Sequence, residues 1–417
     1  MKETKVPTYE KDEVSIDSLH DGLCERCLST TNSHYVDFNG RTICKECFQF
    51  GLSTNENSLY RHTRKTMQKN HKLEIGYKLS EDQRKGSRFF VDCLQNRQNG
   101  FLEAVCGAGK TEMLFQGFLE SLNRGKLICF AIPRKQIVIQ IEARLKSVFP
   151  DSIVKGIHGD SKDDEGAHIV VSTIQQLISY YHEFDVLVVD EVDAFPLEGN
   201  RMYHRFIKKA MKPDGILFLM SATKVDSIHE YLQEFNMAEC VIYRKFHNIP
   251  QDIPICRHVP GLYRKFNNGI IPNTVLQTLR KWVLEGSKVF IFVPTIRLAE
   301  MVFESIHKTL FYSEKMTSLT YEKKEILKRF ETEETKILIS TSVLERGVTF
   351  SKLNVMVLFS NHRIYSKEML IQIAGRVGRK LDSPRGEIIF LSENISKEMI
   401  EAISAINHNN LLAGFLE

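Results

Sequence analysis

The stretch FLEAVCGAGKTEMLF, residues 101–115, constrains this chain more than any other. An apolar strand runs straight into a glycine-bearing turn, and the turn opens a segment with helical spacing of apolar residues. Gly107 and Gly109 let backbone N–H groups face inward, which makes a cradle for phosphate oxygens. The helix start adds favourable positive potential. Lys110 then reaches the terminal phosphates of a nucleotide such as ATP, and Thr111 is placed to ligate Mg²⁺. Ala104 stands where such loops usually open with glycine, and Cys106 and Ala108 fill the loop.

The strand–loop–helix unit is the first of a series. FLEAV, KLICFAI, HIVVSTI, FDVLVVD and GILFLMSA read as short buried strands, separated by helical segments such as RKQIVIQIEARLKSVF. Strands alternating with helices predict a parallel sheet covered on both faces. The alternation loosens in RKFHNIPQDIPICRHVPGLYRKFNNGIIP, which holds four prolines and reads as a connection between lobes. It resumes with KVFIFVPT, SLT, KILISTS, VMVLFS and EIIFLS. The expected division is an N-terminal region at 1–75, a first lobe at 76–250 and a second at 251–417. A chain of 417 residues is long enough for several cores. With 42% hydrophobic and 26% charged residues, it has the composition of a globular protein. No apolar run approaches a bilayer span, and the opening MKETKVPTYEKDEV has no signal-peptide core, so a cytoplasmic protein is expected. The net charge of +4 permits nucleic-acid binding without demanding it.

The chemistry a phosphate loop needs recurs downstream. FDVLVVDEVD ends an apolar strand in Asp190 and Glu191, at the strand edge where α/β sheets bind ligands. Asp190 is placed to hold Mg²⁺ through water, and Glu191 to orient and deprotonate an attacking water. QIAGRVGR, residues 372–379, sets Arg376 and Arg379 three apart, on one face if the segment is helical. Arginines offered from a second lobe can neutralise charge developing on the transferred phosphoryl group, and such residues accelerate the transfer by about 10³–10⁵.

Four of the nine cysteines form two pairs, Cys24 with Cys27 and Cys44 with Cys47, separated by sixteen residues. That spacing predicts a zinc module over about residues 20–50, with a hairpin turning at Asn39-Gly40. Zinc binding of about 10–16 kcal/mol can fold a segment with little core of its own. Beyond the module, Arg61, Arg64, Lys65, Lys69 and Lys72 appear with no acidic residue between them, and read equally as a nucleic-acid contact or a solvated linker.

In this order the motifs resemble those of superfamily 2 helicases and translocases, over residues 79–379. The resemblance implies two RecA-like P-loop NTPase lobes with parallel sheets and ATP in the cleft between them. It makes Gln83 of LSEDQ similar to the adenine-reading glutamine, and admits alanine at position 104. It assigns Gly347 and Gln372 to nucleotide binding. It gives Ser221, Ala222 and Thr223 the task of coupling turnover to nucleic-acid binding, and makes Arg134, Thr173, Thr295 and Thr341 backbone contacts to a single strand. Thr349 and Gln372 depart from the pattern of RNA helicases, which turns the expectation towards single-stranded DNA.

The N-terminal cysteine module joined to a compact two-lobe motor resembles the ComFA family of late-competence proteins. That resemblance implies a DNA-dependent ATPase that draws single-stranded DNA inward during natural transformation. It also implies work at the inner face of the membrane, with ComFC-like and ComEC-like partners. A PriA-like replication-restart helicase and a nucleotide-dependent DNA-binding scaffold are the alternative readings. Cys106 reads as a small loop-filling residue. Cys106→Ser is therefore expected to leave ATP turnover within about twofold of the parent in a steady-state assay, and a large loss would point to redox control.

Overall fold

Runs of β-branched and aromatic residues with no polar alternation can persist as strands only where both faces are covered. The computed structural model places these runs at the centres of two sheets. It describes residues 2–7, 15–30, 32, 34–37, 39–62, 70–194, 197, 199–224, 226–310, 312–341 and 350–415. By contact the chain divides into two units, 1–103 with 110–241, and 104–109 with 242–417, so the boundary falls inside the glycine-bearing loop.

Among the described residues the first sheet has seven strands, in the order Val154–Ile157, Ile169–Thr173, Ile128–Ile132, Phe184–Val189, Met211–Ser221, Gly100–Ala104 and Ala238–Ile242. The first six pair in parallel. The helix Glu81–Gln95 opens with a capping box. Gln83 N–H donates to Ser80 Oγ at 3.2 Å, and Ser80 N–H donates to Gln83 Oε1 at 2.9 Å. Gly86 and Gly117 allow close packing, since a Cβ on Gly117 would lie 2.5 Å from the Phe90 ring and one on Gly86 2.5 Å from Met113 Sδ.

The second sheet has six strands, in the order Ile255–His258, Ile388–Ser392, Leu353–Leu358, Lys288–Val293, Ile337–Thr341 and Ser313–Met316, all paired in parallel. The strand expected at SLT lies a few residues earlier, at Ser313–Met316, and residues 318–320 turn instead. Thr317 and Thr320 explain the shift, because the Thr320 hydroxyl accepts from Thr317 N–H at 3.0 Å and closes a turn there. Trp282 is fully buried on one face of this sheet, and Phe290 stacks on Phe330 at 5.0 Å on the other.

The N-terminal module is built from short antiparallel pieces. Leu19–His20 pairs with Leu23–Cys24, and His34–Val36 with Thr42–Cys44, around the expected hairpin. A separate sheet joins Lys2–Pro7, Asn57–His62 and Ser15–Asp17. The module packs on the first lobe through the helix Arg201–Ala210. Phe50 meets Phe206 edge-on at 5.7 Å, and Arg205 donates through Nε to the Cys27 carbonyl at 2.9 Å and pairs with Glu46. Lys209, only 1% exposed, donates to the carbonyls of Arg26 at 2.7 Å and Ile178 at 2.8 Å. Arg61, from the basic stretch, pairs with Glu25 at 2.8 Å and lies over the Tyr181 ring at 3.5 Å. Arg64, Lys65 and Lys69 lie outside the described residues.

Removing the Lys209 ammonium leaves the part-buried Arg26 carbonyl and the buried Ile178 carbonyl without that donor. Lys209→Met is expected to cost about 1–3 kcal/mol, read as a lower urea midpoint at an unchanged slope.

Candidate active site and metal centre

In a sheet whose faces are covered, polar groups collect where strands end. Outside the cysteine module, the glycine-bearing loop, Arg134, Thr173, the DEVD and SAT loops, Thr295 and Thr341 lie at or just beyond the C-terminal ends of parallel strands, whereas Gln83 lies in the first turn of the helix Glu81–Gln95 and Gln372, Arg376 and Arg379 lie within or just after the helix Lys367–Ala374. The glycine-bearing loop leaves Gly100–Ala104. Gly107 and Gly109 take φ of 83° and 80°, the left-handed region where side chains are strained. Ala104, Cys106 and Ala108 are buried, and Ala108 N–H donates to the Val105 carbonyl at 3.1 Å. Helical structure begins at Lys110 and resumes after Leu114 as Phe115–Asn123.

Asp190 and Glu191 leave the strand Phe184–Val189. Burial pushes the Asp190 carboxyl up to about 6, while the nearby Lys110 ammonium pulls it down. Glu191 has φ of 54°, an unfavourable conformation for a residue with a Cβ, and its N–H donates to Asp190 Oδ1 at 2.8 Å. Thr111 and Asp190 are oxygen donors of the kind Mg²⁺ takes. Asp193, the last acid of the same motif, is buried and accepts from Thr223 Oγ1 at 2.8 Å. Thr223 N–H donates to Ser221 Oγ at 3.1 Å, and Val192 N–H to the Met220 carbonyl at 3.2 Å. These bonds join the DEVD loop to the SAT loop. The sequence alone does not single out Asp193. The acid following an apolar residue in DEVD was the only available signal.

Arg134 and Thr173 stand at the ends of Ile128–Ile132 and Ile169–Thr173 in the first sheet. In the second, Thr341 ends Ile337–Thr341, and Thr295 caps the helix Ile296–His307 by accepting from Leu298 N–H at 3.3 Å. Gly347 and Thr349 lie outside the described residues.

The helix carrying Gln372 is Lys367–Ala374, so it ends before both arginines. Arg376 and Arg379 therefore do not share a helical face. They sit on the turns that follow, with Arg376 buried and Arg379 Nε donating to the Gly375 carbonyl at 2.7 Å. Two glycines lie in these turns. A Cβ on Gly375 would lie 2.3 Å from Cys106 Cβ, and Gly378 has φ of 64°. Cys106 is thus a packing residue against Gly375.

The four cysteine sulfurs lie within 4.8 Å of one another and are fully buried. Cys24 with Cys47, and Cys27 with Cys44, are each 3.6 Å apart. A zinc tetrahedron with bonds of about 2.3 Å has edges near 3.8 Å, so the residues fit that metal. The Ser29 hydroxyl lies 3.1 Å from both Cys27 and Cys44 Sγ, where it stabilises thiolate charge.

Two family profiles match the chain. One, described as "Type III restriction enzyme, res subunit", covers residues 60–226, and the other, "Helicase conserved C-terminal domain", covers 272–380. "Competence protein ComFA" of Streptococcus pneumoniae is 32% identical over 94% of this chain and 91% of its own length. The protein of the same description from Bacillus subtilis is 31% identical over 94% and 87%. Among solved structures, yeast Dbp5 bound to RNA and ADP BeF3 superposes with a TM-score of 0.60 at 18% identity, covering 82% of this chain and 89% of that one. RecG bound to a three-way DNA junction gives 0.56 at 20% identity, covering 83% and 49%. At these identities the two structures bear on the fold alone: two RecA-like sheets of the kind found in helicases.

Purified protein is expected to carry about one equivalent of zinc per chain by metal analysis, and Cys44→Ser with Cys47→Ser to lose it and lower the melting temperature.

Proposed function

The chain belongs to the ComFA family of competence proteins, and from that premise we propose that it is an ATP-driven translocase that draws single-stranded DNA inward during natural transformation. The observation that carries this reading is the bonded pair Asp193–Thr223. It ties the loop bearing Asp190 and Glu191 to the SAT loop, so a change at the nucleotide has a direct path through the first lobe.

The reaction is ATP with water to ADP and phosphate. Lys110 and the N–H groups of the 104–111 loop hold the phosphates, and Gln83 and Gln372 add contacts to the nucleotide. Thr111 and Asp190 hold Mg²⁺, which when bound would neutralise charge on the phosphate oxygens. Glu191 orients the attacking water and takes its proton. Arg376 and Arg379 neutralise charge on the transferred phosphoryl group. Asp190 is ionised at neutral pH even with its raised pKa of about 6, as this role requires.

Arg134 and Thr173 on one lobe, and Thr295 and Thr341 on the other, contact the DNA backbone without reading bases, which suits a motor that steps along any sequence. We divide the chain by function into 1–75, 76–250 and 251–417, with the contact boundary a few residues earlier, at 241–242. No helix among the described residues is long and apolar enough to cross a membrane. We place the chain's work at the inner face of the membrane, with ComFC-like and ComEC-like proteins as partners.

Steady-state ATPase assays with and without single-stranded DNA test this reading. Turnover is expected to rise with the DNA, and Lys110→Ala to lower it by at least about 10²-fold. Activity indifferent to DNA would overturn the motor.

A further inference from the structure

The connection after the first sheet, IYRKFHNIPQD at 242–252, reads in sequence as a linker. Several of its residues are instead bonded to segments far along the chain. Arg244 Nε donates to the Ala413 carbonyl at 2.8 Å. Gln251 N–H donates to Asn410 Oδ1 at 2.8 Å, and Asn410 Nδ2 returns a bond to the Gln251 carbonyl at 2.9 Å. Between these anchors lies Lys245, whose side chain is 2% exposed.

Burying an ammonium is costly unless it is paired and hydrogen-bonded. The Lys245 Nζ donates to the carbonyls of Val377 at 3.2 Å and Gly378 at 3.5 Å, and faces Asp252 Oδ2 at 3.4 Å. His247 Nε2 lies 2.8 Å from the same Gly378 carbonyl. A carbonyl can only accept, so Nε2 carries the hydrogen. Gly378 is what lets the ammonium come this close, because a Cβ there would lie 2.9 Å from Nζ and 2.3 Å from the Pro384 carbonyl. These carbonyls belong to the turns just beyond the helix Lys367–Ala374, where a cation is favoured. The peptide they define runs from Arg376 to Arg379. Between Lys245 and His247, Phe246 N–H donates to the Gly107 carbonyl of the phosphate loop at 3.0 Å.

We propose that Lys245, supported by His247 and Asp252, is a positioning residue for Arg376 and Arg379, fixing the peptide between the two arginines and, through Phe246, its placement against the phosphate loop. This rests on the ATPase reading above. Lys245 bonds main-chain oxygens of the arginine turn, so its loss moves the arginines as a pair. A displacement of the order of 1 Å is enough to cost about 10²-fold in rate.

The test removes the pair together, Lys245→Met with Asp252→Asn, so that no lone buried charge is left. In DNA-stimulated assays kcat is expected to fall about 10–10²-fold, while ATP affinity measured by a fluorescent analogue stays within about threefold. In an Arg379→Ala background the same change is expected to cost less than about twofold, because the group it positions is already gone. Amide hydrogen exchange of the full chain is expected to speed up at residues 375–379. Equal losses in both backgrounds, ATP affinity falling in step with kcat, or unchanged exchange would overturn the proposal. Should that variant fail to fold, His247→Ala removes one bond to the Gly378 carbonyl and is read by the same three measurements, with the same outcomes deciding. If the parent chain shows no turnover, the ATPase reading fails, and the exchange measurement still decides whether Lys245 holds this turn.

Discussion

Both central sheets have strands buried on each face, and this governs everything polar in the molecule. Ile128–Ile132, Ile169–Thr173, Lys288–Val293, Leu353–Leu358 and Ile388–Ser392 have no solvent-facing side. In these central strands charged groups are therefore left to the strand ends, and parallel order puts the ends of one kind on one edge. Asp190 shows the cost of that placement, because the same burial that aligns it with its sheet raises its pKa. Glu191 adds a backbone in the left-handed region, of a kind that costs about 1–3 kcal/mol and persists only where neighbours enforce it. The enforcing contacts are Glu191 N–H to Asp190 Oδ1 and the anchored Asp193 two residues on.

Much of this was legible in the sequence. Repeated apolar strands, the GKT loop and the paired cysteines each couple a residue type to a local geometry, and the structure places them accordingly. What was not legible depends on contacts between segments far apart in the chain. QIAGRVGR has helical spacing, yet the helix stops at Ala374; Gly375 admits Cys106 at close approach and Gly378 adopts positive φ in the turns beyond. Asp193 gains its importance from Thr223, thirty residues later. The stretch around Lys245 carries prolines and polar residues, which look like a linker until its partners at 377–378 and 410–413 are known.

The cysteine module follows the same logic at a larger scale. Its sulfurs belong to one contiguous cluster with Tyr203, Phe206 and Ile207 of the helix Arg201–Ala210. That helix lies between the DEVD loop and the strand Met211–Ser221 that delivers the SAT loop. The buried sulfurs are thus continuous with the first lobe's core, while residues such as Val36 and Phe48 remain exposed.

A metal held by the four cysteines is then, in thermodynamic terms, a ligand of that lobe's native state. Whatever binds the folded form alone adds RT ln(1 + [L]/Kd) to its stability. Free metal concentration and the folded population of the lobe become linked variables through Phe206 and its neighbours. Metal scarcity would register first as a softer helix Arg201–Ala210, ahead of any change at the phosphate loop.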